Sequence, residues 1–250
     1  MSRPAEDARY PSPLRDGVLV GRCDRFLVDV ALPEGTVLTA HCANSGSMRT
    51  CLERGRPVRC SDSGSPTRVV RWTWEQIDMG RGWVGVNTAV PNRAVAAAVA
   101  RDGVEALRGY PTHRREVPYG RDRRSRIDLL LSDGGRRCWV EVKNSSMAVG
   151  TECRFPDSPT ERGRKHLEDL AERVEAGDRA VLVFFVHRPD VDRFRPAWEI
   201  DPAYAAALTD AVTRGVEVLP LSSRLSARGV TVGPPLPFAL GRPPPPPPSA

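Results

Sequence analysis

Two acids and a lysine in the second half of the chain have the types and spacing of a hydrolytic site. Asp128 lies in Arg126-Ile127-Asp128-Leu129-Leu130-Leu131, and Glu141 and Lys143 lie in Cys138-Trp139-Val140-Glu141-Val142-Lys143. Alternate residues of a strand share a face. As strands, these runs point Ile127, Leu129 and Leu131 one way with Asp128 opposite. Val140 and Val142 point inward, and Glu141 shares the other face with Lys143. The turn signal Ser132-Asp133-Gly134-Gly135 makes the two runs a hairpin, so an acid from each strand converges with one lysine. Two carboxylates, a backbone carbonyl and waters suit Mg²⁺, or Mn²⁺ in its place. Lys143 would orient or help deprotonate the attacking water and stabilise charge on a phosphate.

An isolated Glu-x-Lys on an exposed strand is ordinarily a surface ion pair; the neighbouring signals are what favour chemistry. Glu116, on a preceding strand, could supply a third acid. Thr160, Arg162 and Lys165 cluster where a following helix begins, and the free amides and dipole of a helix start favour an anion such as a backbone phosphate. Asn144 could donate to the same group. Of the 37 basic residues, Lys143 and Lys165 are the two lysines; the rest are arginine.

The elements around these residues fall into two grammars. From Gly17 to Ile77 the chain reads as five short strands: Val18 to Val20, Phe26 to Leu32, Thr36 to Cys42, Val58 to Ser61 and Val69 to Ile77, with Pro33-Glu34-Gly35 a strong turn. A small barrel of the OB type is the economical solution, with an SH3-like barrel the alternative. Then Pro91-Asn92 opens an alanine-rich helix with Asn92 as its N-cap. Strands follow at Arg115 to Val117, Ser125 to Leu131 and Cys138 to Lys143. Ser158 and Glu161 form a capping box with Pro159 at the first helical position, starting a helix that buries Leu167, Leu170, Ala171 and Val174 and stops at Gly177. Val181 to Val186 reads as a strand covered on both faces. Asp201-Pro202 starts a last helix, ended by Gly215, and Val216 to Leu219 is a final strand. This order predicts a layered α/β domain. The expected division is a disordered tail over 1–13, an OB-like DNA-binding barrel over 14–84, a mixed α/β domain over 85–233 and a proline-rich disordered tail over 234–250.

A net charge of +6 favours polyanionic partners. No stretch approaches the ~18 apolar residues of a membrane span, and the polar, proline-containing start is unlike a secretory signal. The expectation is therefore a soluble cytoplasmic protein with no membrane partner. None of the six cysteines has the two-residue gap of a zinc knuckle, so free, mostly buried thiols are expected. A homodimer is left open.

At these residues the chain resembles the sugar fermentation stimulation proteins. The matching stretches include His41-Cys42-Ala43-Asn44-Ser45-Gly46-Ser47-Met48, Trp83-Val84-Gly85-Val86-Asn87-Thr88 with Pro91-Asn92, and Arg115-Glu116-Val117 with Tyr119-Gly120. Further matches are Ser125-Arg126-Ile127-Asp128, Val140-Glu141-Val142-Lys143-Asn144, Phe155-Pro156-Asp157 through Thr160-Glu161-Arg162-Gly163 to Lys165-His166-Leu167, and Asp190-Val191-Asp192-Arg193-Phe194. The resemblance implies an OB-like domain followed by a restriction-endonuclease-like domain, non-specific DNA binding to single-stranded or duplex DNA, and a role in regulating sugar (maltose) metabolism genes. It also implies Asp128 and Glu141 as metal acids, Lys143 as the superfamily's lysine and Glu116 as an accessory acid. Ile127 stands where the superfamily often has proline, and Ser145-Ser146 departs from the more usual apolar-Thr; neither removes a ligand.

Two barrel features could touch DNA. A polar loop on its binding face could bring His41, Asn44, Ser45 and Ser47 to phosphate, since His41 has no evident acid partner for base chemistry. Trp72 and Trp74, two apart on one strand face, could stack bases; barrel core accounts for them equally well. His113, His166 and His187 are scattered and form no zinc set, and His166 reads as helix surface or phosphate contact.

Overall fold

The computed structural model describes residues 6–120 and 125–241. Its first element, β1 (Ala8–Arg9), pairs antiparallel with the last strand of the chain, Ala8 opposite Val230 and Arg9 opposite Gly229. Ala8 and Tyr10 are buried, and Asp7 accepts the Val232 N–H at 2.8 Å. Residues 6–10 are therefore sheet edge and core of the C-terminal domain rather than a loose tail. A two-residue strand has no periodicity to betray it; residues 1–5 lie outside the described residues.

The barrel is built from β2 (Arg15–Arg22), β3 (Leu27–Ala31), β4 (Val37–His41), β5 (Pro57–Asp62), β6 (Trp72–Asp78) and the short β7 (Trp83–Gly85), in the order β4-β3-β2-β5-β6-β7. Parallel pairing of Ala40 with Trp72 and His41 with Thr73 closes it. Alternation sends Val28, Val30, Leu38, Ala40, Val58, Cys60, Trp74 and Ile77 into one core, as expected of an OB barrel. Trp74 is fully buried and donates its indole N–H to the Gln76 carbonyl at 2.9 Å. It is core, not a base platform; Trp72 is half-buried with the Arg15 guanidinium 5.6 Å from its ring.

The second domain follows with α1 (Val90–Ala100), β8 (Thr112–Tyr119), β9 (Ser125–Ser132), β10 (Arg137–Ser145), β11 (Met147–Val149), β12 (Glu152–Phe155), α2 (Glu161–Glu175), β13 (Arg179–Val186), β14 (Arg193–Pro196), α3 (Pro202–Thr213), β15 (Glu217–Leu225) and β16 (Gly229–Pro235). Seven strands form one mixed sheet in the order β1-β16-β15-β13-β10-β9-β8. The central strands β10, β13 and β15 run parallel, while β8, β9 and β10 form an antiparallel meander. α1 covers one face, packing with Leu129, Leu131, Val140, Val142, Val183 and Phe185. α2 and α3 cover the other, with Ile127, Leu130, Trp139, Leu182 and Phe184. A small sheet β11-β12-β14 flanks this layer.

Covering both faces changes the expected burial of the acids. Glu141 is not on an exposed strand face but beneath α2. Ile127 also departs from expectation: it joins the α2-side core while Leu129 and Leu131 join the α1 side. β9 turns at Asp128, where its ladder to β10 ends.

Two helix starts differ from the sequence reading. α2 is capped by Thr160, whose hydroxyl accepts the Gly163 N–H at 3.0 Å, and not by Ser158. α1 starts after Ala89, with no side-chain cap on Ala89 itself; Asn92 lies within its first turn. α3 starts at Asp201-Pro202 as expected, with Asp201 accepting the Tyr204 N–H at 2.9 Å.

Past β16 the chain stays packed as far as Leu240. Phe194 donates its N–H to the Pro237 carbonyl at 2.9 Å, the Trp198 indole donates to the Leu240 carbonyl at 2.8 Å, and Leu236, Phe238 and Leu240 rest on the α2-side core. The expected disordered tail thus begins too early at 234. The six consecutive prolines lie outside the described residues.

The two domains are joined by polar contacts. Ser47 donates to the Asp157 carbonyl at 2.6 Å, and the Asp157 carboxylate accepts the Met48 N–H at 2.9 Å. Gly85 donates its N–H to the His187 carbonyl at 2.8 Å, and a Cβ on Gly85 would lie 2.0 Å from His187 Nε2. Only glycine permits that approach. The six cysteines are free, all but Cys23 buried. Among the described residues no helix is long and apolar enough to cross a membrane.

Candidate metal and phosphodiester site

β9 and β10 pair from Ser132 with Arg137 to Leu129 with Val140, then part. At the next step Asp128 Oδ2 accepts the Val142 N–H at 2.7 Å, so a carboxylate replaces the missing ladder carbonyl. Oδ1 accepts from the Asn92 side-chain amide of α1. Each oxygen of Asp128 keeps a lone pair beyond these donors.

Glu141 is buried. Its Oε1 takes the Lys143 ammonium at 2.6 Å and lies against His166 Nδ1 on α2, which is also 3.2 Å from Lys143 Nζ. Arg162, one turn earlier, places its Nε 3.4 Å from His166 Nε2. Glu141 Oε2 is buried and has no hydrogen-bond partner among the described residues. The hydroxyls of Tyr119 and Tyr204 are in the same condition. Burial raises both phenols, and the charge of Glu141 adds to the effect.

The two acids are electrostatically unequal. Burial first, then the charge of Glu141, pushes Asp128 up to about 7, against the Val142 N–H and Lys143, which favour its ionised form. Burial also pushes Glu141 up, but Lys143 and His166 outweigh it and hold the carboxyl below its usual range. Two like charges raising one another's cost beside an unpartnered buried oxygen suit a divalent cation. Among the described residues no three His, Cys, Asp or Glu side chains converge as a metal cage. Mg²⁺ does not require one: it is commonly held by one or two carboxylates, with waters and substrate phosphate completing the shell. The donor set therefore fits.

The other sequence-derived residues separate. Glu116 is exposed on β8 at φ +53°, outside the buried set; its charge raises Asp128 less than burial or Glu141 does. Asn144 Oδ1 lies 3.0 Å from His187 Nδ1. Thr160 is spent on capping α2, its own N–H donated to Asp201 Oδ2 at 2.8 Å. Lys165 is exposed on α2. Asn44 is buried, its Oδ1 accepting the Gly46 N–H at 2.9 Å, and Ser47 is held by Asp157. That loop is a domain joint, a different role from phosphate contact. His41, half-buried at the end of β4, stays in the barrel.

His166 is not helix surface but buried against Glu141, and Asn92 is not a cap but a donor to Asp128. His166 was legible in one respect: it precedes Leu170 by four residues and so shares the apolar face of α2. Asn92 left no such signal, because an asparagine near a helix start looks like a cap.

A family model described as "Sugar fermentation stimulation protein RE domain" matches residues 89–229, and "SfsA N-terminal OB domain" matches residues 20–86. The chain belongs to the sugar fermentation stimulation protein family. Among similar curated members, the homologue from Rhodospirillum centenum is 51% identical over 226 residues, covering 90% of this chain and 96% of its own. That from Paramagnetospirillum magneticum is 47% identical over 233 residues, 93% and 98% of the two chains. The solved structure of Pyrococcus furiosus SfsA in complex with Ca²⁺ matches with a TM-score of 0.84 at 24% identity, covering 94% of this chain and 100% of the other. At that identity the likeness bears on the fold, and it extends over both domains of this family member.

Proposed function

We propose that this protein is a DNA-binding nuclease whose Asp128 and Glu141 hold Mg²⁺ or Mn²⁺ while Lys143 serves the phosphodiester. The observation that carries the reading is Glu141: buried, paired through Oε1 with Lys143 and His166, and unpartnered at Oε2 among the described residues, beside the raised Asp128. The Ca²⁺ complex of the Pyrococcus protein supports divalent-cation binding, since Ca²⁺, like Mg²⁺, takes oxygen ligands.

When bound, the cation would polarise a phosphate oxygen and lower the pKa of a water. The chain's own residues do the rest. Val142 and Asn92 fix the Asp128 carboxylate. His166 and Lys143 keep Glu141 ionised under α2. Lys143, half-buried and cationic, stabilises charge developing on the phosphate. Arg162, exposed and on the side of α2 that carries His166, reaches backbone phosphate. The net charge of +6 favours a polyanionic partner.

The test is incubation of purified protein with single-stranded, duplex and branched DNA under Mg²⁺ or Mn²⁺, with Lys143→Ala in parallel. Equal background cleavage by the two proteins would sink catalysis.

A second reading is DNA binding without turnover, in a regulator of sugar metabolism genes. It is favoured by the close pairing of Lys143 with Glu141, the arrangement of a structural ion pair. It predicts salt-sensitive DNA binding that persists in Asp128→Ala.

A further inference from the structure

Both oxygens of Asp128 are held by N–H donors, one from the backbone of its own sheet and one from a helix that starts at the barrel. The Val142 N–H reaches Oδ2 at 2.7 Å, and the Asn92 amide reaches Oδ1. One donor alone leaves a carboxylate free to rotate about Cβ–Cγ; two fixed donors on different oxygens remove that freedom and leave one lone pair on each oxygen in a set direction.

What places Asn92 is traceable through hydrogen bonds. α1 packs Val90, Ala94, Val95, Ala98 and Val99 on the sheet. Its start is tied back into the barrel. Asn87 Oδ1 accepts the Ala89 N–H at 3.0 Å, and Asn87 Nδ2 donates to Glu75 Oε2 at 2.9 Å. Glu75, buried on β6, takes the Ser61 hydroxyl at 2.7 Å on its other oxygen, and its carbonyl accepts the Val86 N–H at 3.0 Å. Thr88 donates to the Ala43 carbonyl at 2.6 Å. The connection between domains is thus a braced corner, and Asn92 follows it by one helical turn.

We propose that Asn92 is a positioning residue of the metal site: its side-chain amide sets the Asp128 carboxylate for a divalent cation, and the OB barrel sets Asn92 through Asn87 and Glu75. The proposal rests on the reading that Asp128 and Glu141 hold that cation. An uncharged donor is what the place requires. A carboxylate there would repel Asp128, and an apolar side chain would leave Oδ1 without its donor. Residues that orient a metal ligand from behind change metal affinity by about 10- to 100-fold when removed.

The experiment is calorimetric titration of Ca²⁺ and Mn²⁺ into the intact wild type, Asn92→Ala, Asn92→Leu and Asp128→Ala, beside thermal melting of each metal-free protein. Wild type should bind, Asp128→Ala should not, and Asn92→Ala should bind about 10- to 100-fold more weakly with a metal-free melting temperature close to wild type. Asn92→Leu, which keeps the side-chain volume without the donor, guards against a folding defect in the alanine variant and should weaken binding alike. Asn92 variants that bind as tightly as wild type overturn the proposal, as does a fall in melting temperature with unchanged affinity of the folded protein. A wild type that binds neither ion, or an Asp128→Ala that binds as wild type does, overturns the metal-site reading itself.

Discussion

Asp128 takes the backbone N–H of Val142 where β9 and β10 separate, so one side chain both ends a ladder and faces Glu141. A carboxylate is needed here for the second task only; an amide oxygen would serve the first, with its NH2 facing an Asn92 amide that can turn to present Oδ1. Asp128→Asn should therefore be no less stable than the metal-free wild type at pH 8, since it removes a charge that burial and Glu141 both disfavour. Asp128→Ala should lose about 1–3 kcal/mol, because the Val142 N–H is left unpaired. Urea denaturation of the three proteins distinguishes the outcomes; an Asn variant as unstable as the Ala variant would contradict this account of the ladder.

His166→Ala should cut metal-dependent cleavage by about tenfold or more while leaving metal-free DNA affinity unchanged. The imidazole touches the oxygen of Glu141 that Lys143 also takes, so its loss frees that carboxylate to move without removing an exposed cation. Cleavage rates and equilibrium binding to one duplex, measured on the same preparations, test this. A parallel loss of DNA affinity would assign His166 to phosphate contact instead.

Acid should destabilise the protein through His187. The imidazole is fully buried at the domain joint, with Nδ1 against Asn144 and Nε2 unpartnered among the described residues, and burial pulls its pKa down to about 3. The unfolded chain takes up a proton near pH 6.5 that the folded chain refuses. Its contribution is thus complete above pH 6.5 and falls by about 1.4 kcal/mol per pH unit below it, until the folded group titrates. His187→Gln should flatten the decline of unfolding free energy between pH 6.5 and 4.5. An unchanged slope would remove His187 as its source.

Truncation should divide the C-terminal segment in two. Ending the chain after Pro235 removes Leu236, Phe238 and Leu240 from the α2-side core and the Pro237 carbonyl from Phe194, and should cost a few kcal/mol, roughly 1 kcal/mol for each half-buried apolar side chain. A chain ended after Gly241 keeps these contacts and should melt higher than one ended after Pro235. Equal stability of both truncated chains would contradict the packing of residues 236–240.

Much of this architecture was legible from local rules. The barrel strands, the Asp201 cap, the helix stops at Gly177 and Gly215 and the pairing of Glu141 with Lys143 on one strand face follow from alternation, turn residues and capping chemistry. What escaped depends on tertiary contact. Ser158 and Thr160 are both competent caps for one helix, and the one used is Thr160, whose own N–H is held by Asp201. Trp72 and Trp74 have the same spacing whether they stack bases or fill a core. Ser47 is a polar loop residue whose partner, Asp157, lies 110 positions away in the chain, and Asn44 holds the same loop through the Gly46 N–H. His166 and Asn92 approach the acids from helices on opposite sides of the sheet, a relationship no local pattern encodes.

The central claim is that Asp128, Glu141 and Lys143 form a metal-dependent nuclease site. Cleavage of DNA by the wild type beside Glu141→Ala, with Mg²⁺ or Mn²⁺ and with chelator, tests it most directly. The account predicts cleavage that requires the cation and is lost in Glu141→Ala while DNA binding persists. Cleavage of equal extent in both proteins, or none in the wild type on single-stranded, duplex or branched DNA, would contradict it.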